Sequence, residues 1–167
     1  GIMGGKIAHE FMLNTPIGED YLILCDKCGY QANREIALFK TNPYRGNEKA
    51  ELKKVHTPHK TSIEEVSEFL NVPANSTAKC VFFENDSTLI TVVVPGHLDV
   101  SEIKLKNILK TSELLPAEDE LILASGMVPG YASPINSKNT RVFIDKNIVD
   151  ASDLVIGANE TDYHYMH

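Results

Sequence analysis

Residues Ala78 to Val94, "AKCVFFENDSTLITVVV", decide how the rest of the chain is read. Two runs rich in Val, Ile, Thr and Phe flank the polar Asn85-Asp86-Ser87. β-Branched and aromatic runs interrupted by such a short turn cluster read as a β-hairpin. Helices are expected on either side of it. Upstream, Thr61 and Glu64 fit a Ser/Thr-x-x-Glu capping box, and Ile63, Val66, Phe69 and Leu70 then fall on one helical stripe. Downstream, Val100 to Lys110 reads as a helix, with Asp99 or Ser101 near its start and Ile103 and Leu109 among its apolar positions. A further short helix is expected from Pro116, because "AEDE" in a first turn complements the helix dipole. "RVFID" (Arg141–Asp145) and "DLVIGAN" (Asp153–Asn159) read as two more strands.

Helices and strands interleave here without a steady βαβ repeat, and no internal repeat is visible. The expected class is α/β of the mixed α+β kind: a mixed, mainly antiparallel central sheet, or a partly closed barrel, with packed helices. The first 48 residues read differently. "HEFML" (His9–Leu13) and "YLILC" (Tyr21–Cys25) look like strands, "ANREIALFK" (Ala32–Lys40) has helical composition, and the polar, breaker-rich "TNPYRGNEKAE" that follows suits a linker. Such a segment cannot enclose a core alone and reads as the edge of something larger, with the main domain over residues 49–160.

Composition narrows the function. With 167 residues, 43% hydrophobic and 23% charged, the chain reads as soluble and globular, either one medium domain or one domain with a small appendage. No apolar run approaches the roughly 18 residues of a membrane-spanning helix, and "GIMGGKIAHEF" has no signal-peptide pattern, so no membrane partner is expected. Three cysteines, an odd number, suit a reducing cytoplasm better than a disulfide framework. A net charge of −7 argues against a broad phosphate-gripping face. The local basic groups, Lys49, Lys53, Lys54 and Lys60, and Lys104, Lys106 and Lys110, leave room for contact with the end of a nucleic acid held mainly by something else.

"GMVPGYASPIN", Gly126 to Asn136, is a stiff loop between two apolar runs. Proline fixes φ and glycine permits close backbone approach, so the loop can act as a turn or present its backbone to a ligand.

Taken in order, "GGKIAHEFML…GEDYLILCDKCGYQANREIA", "HTPHKTSIEEVSEFLNV", "SEIKLKNIL", "GYASP", "VFID" and "GANETDYHY" resemble bacterial-type prolyl-tRNA synthetase. The first stretch is similar to the part that follows class II motif 2, and the others to the editing domain inserted before motif 3, whose fold also occurs in free-standing YbaK-type aminoacyl-tRNA deacylases. The resemblance implies hydrolysis of mischarged tRNA, chiefly alanine esterified to proline tRNA. It also implies no aminoacylation, since the ATP- and Mg-dependent synthetic site would lie elsewhere in the synthetase, and it implies no cofactor for this stretch. The partners implied are the mischarged acceptor end of proline tRNA and the remainder of the synthetase, with residues 161–167 leading back toward the catalytic domain.

Residue by residue, Gly130 and Pro134 match the family's Gly-x-x-x-Pro loop, with Tyr131, Ala132 and Ser133 between them lining the substrate pocket. Lys104 matches a lysine that contacts the adenosine or phosphate end of the tRNA, and His164 a histidine that positions the aminoacyl group. Asp145 is of the right type to hold the substrate's α-amino group, or else to cap the next turn. Lys79 and Thr77 stand where relatives carry polar residues facing the pocket. The chain departs from the family at "PGHLDVSEIK", where His97 follows Gly96 and Ser101 replaces an asparagine, which bears on the hydrogen bonding around Lys104.

Ser133, His164 and Asp145 are triad types, but there is no G-x-S-x-G elbow, and Cys80 in a buried strand reads as core. The resemblance implies instead a water attacking the ester, oriented by the bound substrate. Cys25-x-x-Cys28 is half of a zinc motif with no second pair in this chain, so no metal is expected. A non-catalytic docking module of the same fold stays open as the alternative.

Overall fold

The structure, a computed structural model, describes residues 11–15, 17–18, 20–38, 43–46 and 51–167. The chain forms two compact units, Gly1–Phe39 and Lys40–His167. In the first, β1 (Leu22–Leu24) pairs antiparallel with β2 (Gln31–Asn33), with Ile23 opposite Ala32. The turn between them closes through Cys25 N–H to the Tyr30 carbonyl and Gly29 N–H to the Cys25 carbonyl, both at 2.9 Å. The helix expected over Ala32–Lys40 is not formed in its described part. Asn33 Oδ1 accepts from Glu35 N–H at 2.9 Å, and such an Asx turn competes with helix propagation. The strand expected at Tyr21–Cys25 shortens to β1, and Phe11–Leu13 is irregular. His9 and Glu10, the start of the other expected strand, lie outside the described residues, as do Phe39 and Lys40.

The second unit runs β3 (Lys53–His56), α1 (Ile63–Leu70), a short 3₁₀ turn at Ala74–Ser76, β4 (Ala78–Asn85) and β5 (Thr88–Pro95). It continues with α2 (Glu102–Leu109), β6 (Leu115–Pro116), α3 (Asp119–Ala124), β7 (Thr140–Ile144), β8 (Ile156–Gly157) and β9 (Tyr163–Met166). The hairpin β4–β5 is paired over its full length, from Ala78 opposite Pro95 to Asn85 opposite Thr88. Its two-residue turn, Asp86-Ser87, takes φ of 49° and 57°, the doubly left-handed geometry that matches strand twist. β6 adds antiparallel to β4, and β7 adds parallel to β5, giving a mixed sheet in the order β6-β4-β5-β7.

β5 is buried along nearly all its length, and its period-two alternation feeds two cores. Ile90, Val92 and Val94 pack with Leu105 of α2 and with Phe83 and Leu114. On the other face Leu89 meets Ile122 of α3, Met127 and Ala132, while Val93 meets Ala78 and Ile148. Burying one such aliphatic side chain contributes about 1.5–3 kcal/mol, so this hairpin anchors the unit.

Local signals were read close to their true positions. The capping box of α1 is formed by Ser62 and Glu65, one residue beyond the expected Thr61 and Glu64: Ser62 Oγ accepts from Glu65 N–H at 3.2 Å, and Glu65 Oε2 accepts from Ser62 N–H at 3.1 Å. "TSIEE" satisfies the pattern in both registers, and only geometry selects one. α2 is capped by Ser101, whose Oγ accepts from Lys104 N–H at 3.4 Å. α3 starts at Asp119 rather than Pro116, because Leu115 and Pro116 pair with Glu84 and Phe83 as an edge strand, where a missing N–H costs nothing.

A second sheet, in the order β3-β9-β8, is wholly antiparallel. Neither β3 nor β9 stands out in the sequence, and residues 163–166, read as the start of the return, form its central strand. The strand expected over Asp153–Asn159 contracts to β8, with Val155 forming a parallel bridge to Thr77. There Ala78 N–H donates to the Val155 carbonyl at 2.8 Å and Val155 N–H to the Ser76 carbonyl at 2.9 Å. Among the described residues no further strand pairing joins the two sheets, and the central sheet does not close into a barrel.

Candidate functional site

A cavity of about 390 Å³ opens where the start of α1, the first half of β4 and the Gly130–Ala132 loop meet β8 and β9. Apolar walls come from Ile63, Val66, Ala78, Phe82, Ala132 and Val155; Thr61, Ser62, Glu64, Thr77, Lys79 and His164 add polar groups.

His164 points inward because β9 alternates: Tyr163 and its neighbour Tyr165 stay partly exposed, and His164 is buried. Its Nδ1 lies 2.6 Å from Oγ1 of Thr57, which is fully buried. That bond fixes the ring plane and leaves Nε2 as the nitrogen not engaged with Thr57. Burial pushes the imidazole below its ordinary pKa, so the ring is neutral at neutral pH. Thr57 is held in turn by its N–H donating to the Asp162 carbonyl at 2.7 Å.

The loop wall is clamped by the stretch after β8. Asn159 Oδ1 accepts from Ser133 N–H at 2.8 Å, while its Nδ2 donates at 3.0 Å to the carbonyls of both Ser133 and Ile135. Asn159 N–H donates to the Tyr131 carbonyl at 2.8 Å. Asp162 Oδ1 accepts from Tyr131 Oη and from His59 N–H, both at 2.7 Å, which holds its carboxyl below the usual range. Burial, then the hydrogen bond to Asp162, raises the Tyr131 phenol. Gly157 makes the close approach possible: a Cβ there would stand 2.1 Å from the Tyr131 carbonyl carbon. Gly96 plays a similar part against Thr77 Oγ1, 2.0 Å from where its Cβ would be.

Gly130, Ala132, Thr77, Lys79 and His164 are thus brought together around one cavity. Tyr131 stands behind it, edge-on to the His164 ring at 5.7 Å between centroids. Ser133 is fully buried, with its Oγ accepting from Ile135 N–H at 3.2 Å, and Pro134 turns the chain by accepting from Ser137 N–H and Oγ. Asp145 Oδ1 accepts from Asn147 N–H at 2.8 Å in the turn after β7, so Ser133, His164 and Asp145 do not assemble as a triad. Lys104 is exposed on α2 and is not among the residues that line the cavity. Lys79 is ion-paired to Asp99 at 3.1 Å. Cys80 lines the cavity, but burial pushes its thiol up to about 12, so it is not a thiolate nucleophile.

Thr57, Asn159, Asp162, Gly96 and Gly157 escaped the sequence reading as site residues. "GANETDYHY" contained three of them, but a backbone clamp leaves no pattern apart from the contacts it makes. Among the described residues no group of three or more His, Cys, Asp or Glu side chains could hold a metal ion.

A compact α/β unit with a preformed cavity, a neutral buried histidine and a backbone-walled rim is the class this geometry defines. Residues 57–166 match the model of the aminoacyl-tRNA editing domain, and the chain belongs to that family. Over 98% of its length it is 41% identical to a proline–tRNA ligase of Dehalococcoides mccartyi and 40% identical to one of Salinispora tropica. It spans 29% of the length of each. A solved structure of a candidate trans-editing enzyme for prolyl tRNA synthetase superposes with a TM-score of 0.62, covering 70% of this chain and 75% of that one at 15% identity, which shows the shared fold.

Proposed function

We propose that the chain hydrolyses the ester of mischarged aminoacyl-tRNA, chiefly alanine on proline tRNA, as the editing insertion of a prolyl-tRNA synthetase. The observation that carries this reading is the state of the loop amides. Tyr131 N–H is committed to the Val128 carbonyl and Ser133 N–H to Asn159, which leaves the amides of Gly130 and Ala132, two cavity-lining residues, as donors for an ester carbonyl. Donors fixed before the reaction stabilise charge as it develops on that oxygen, at no cost in reorganisation.

The need for such a site follows from pocket energetics. A synthetic site shaped for proline excludes a smaller amino acid by only about 1–3 kcal/mol per missing methylene, so a second, smaller site must clear the error. Ala132, Ile63 and Val66 make the apolar part of that second sieve. Neutral His164, oriented by Thr57, positions the aminoacyl group and the attacking water. Lys104 on α2 supplies a cation for the phosphate end of the tRNA, and the rest of the synthetase holds the tRNA body. Positioning and backbone electrostatics then supply most of the catalysis.

The test is alanyl-tRNA hydrolysis by the His164→Ala chain. The rate is expected to fall about tenfold or more, with circular dichroism unchanged. An unaltered rate in the folded variant would leave the site without a role for its histidine and would favour a docking module.

A further inference from the structure

The charges lining the cavity are unevenly paired. Lys79 is neutralised by Asp99 at 3.1 Å, and His164 is held neutral by burial. At the start of α1, Glu65 Oε2 accepts from Thr61 N–H at 3.3 Å and from Ser62 N–H at 3.1 Å, and Ser62 Oγ takes Glu65 N–H, so the amides just before the helix and that of its third residue are engaged. Among the charged side chains of the cavity-lining residues, what remains is that of Glu64, which is exposed at the cavity and makes no hydrogen bond or ion pair with the described residues. A cavity whose one unpaired charged side chain is a carboxylate favours a ligand group that is positive.

An aminoacyl-tRNA carries a single such group near the ester, the α-ammonium of its amino acid. Asp145, the sequence candidate for that group, is engaged with Asn147 N–H beyond β7 and does not line the cavity. We infer that Glu64 binds the α-ammonium of the aminoacyl ester, and so makes the site selective for a free amine over an acylated one. The inference rests on the editing function proposed above.

The experiment compares alanyl-tRNA with N-acetylalanyl-tRNA, both on proline tRNA, in the wild-type chain, Glu64→Gln and Glu64→Asp. The ratio of the two KM values, acetylated over free, is expected to be about fivefold in the wild type, the upper range of a solvent-accessible ion pair. It collapses toward unity in Glu64→Gln and recovers in part in Glu64→Asp, while kcat for alanyl-tRNA changes less than KM. Thermal melts check that the exposed substitution leaves the fold intact. A wild-type chain that hydrolyses alanyl-tRNA with the same KM ratio before and after Glu64→Gln would overturn the assignment and leave the editing function standing. A wild-type chain that neither hydrolyses alanyl-tRNA nor binds 3′-alanylamido-3′-deoxyadenosine would overturn both.

Discussion

Asn159 holds Ser133 through both ends of its side-chain amide, Oδ1 accepting from Ser133 N–H at 2.8 Å and Nδ2 donating to the Ser133 carbonyl at 3.0 Å. An amide that matches a backbone donor and acceptor at once behaves like an added strand, and it fixes the loop wall without a sheet. Replacing Asn159 with Ala removes three side-chain hydrogen bonds and strands a buried N–H. A loss of about 3 kcal/mol follows from about 1 kcal/mol per bond, read as a fall in thermal midpoint of roughly 10 °C. A midpoint within about 2 °C of wild type would show that the loop holds itself.

Two glycines separate shape from strain. A Cβ at Gly157 would stand 2.1 Å from the Tyr131 carbonyl carbon, so Gly157→Ala must push the loop wall outward. At Gly130 the nearest atom to a new Cβ is Thr61 Cγ2 at 3.8 Å, and the cost is only that of φ +81, about 1 kcal/mol. Urea midpoints should therefore rank Gly157→Ala well below Gly130→Ala. The reverse order would mean that the loop yields more readily than its backbone does.

The lowered pKa of His164 sets the sign of an acid effect. Above about pH 6.5, the ordinary imidazole value, folded and unfolded chains both hold a neutral ring. As pH falls below it the unfolded chain takes up a proton that the buried ring resists, so stability declines until the folded pKa is passed. Asp162 and Glu65, with carboxyls held low by hydrogen bonds from Tyr131 and Ser62, add a further loss at still lower pH. His164→Gln should flatten the first decline and leave the second. Denaturant midpoints from pH 7 down to about pH 2 check this, and an unchanged profile would contradict it.

Cysteine labelling tests burial at the cavity wall. With its thiol pushed up to about 12, Cys80 should resist iodoacetamide at pH 8 while the exposed Cys28 reacts. Mass spectrometry after partial alkylation reads both sites. Labelling of Cys80 at the rate of Cys28 in the folded chain would show that the cavity is open to the reagent.

What the sequence disclosed depended on how local the determining physics is. The hairpin, α2 and the stripe of α1 rest on patterns within a few residues, and each formed within a residue or two of its expected place. β3 and β9 did not show themselves, because Lys53–His56 and Tyr163–Met166 are mixed in polarity and become strands only by pairing across more than a hundred positions. The same division runs through the site. Gly130, Ala132, Thr77, Lys79 and His164 were legible through resemblance to family motifs, and they meet at the cavity. Thr57 and Asp162 act through contacts that the fold alone creates, and Asp145 was read by type where its neighbour Asn147 decided its partner.

The most direct measurement is the hydrolysis of alanyl-tRNA by this chain beside prolyl-tRNA, both on proline tRNA, with an enzyme-free control. Selective loss of alanine, with proline left at the control rate, is the expected result: it would establish a size-filtering hydrolytic cavity behind the Gly130–Pro134 loop. Equal loss of both amino acids, or of neither, would contradict that account.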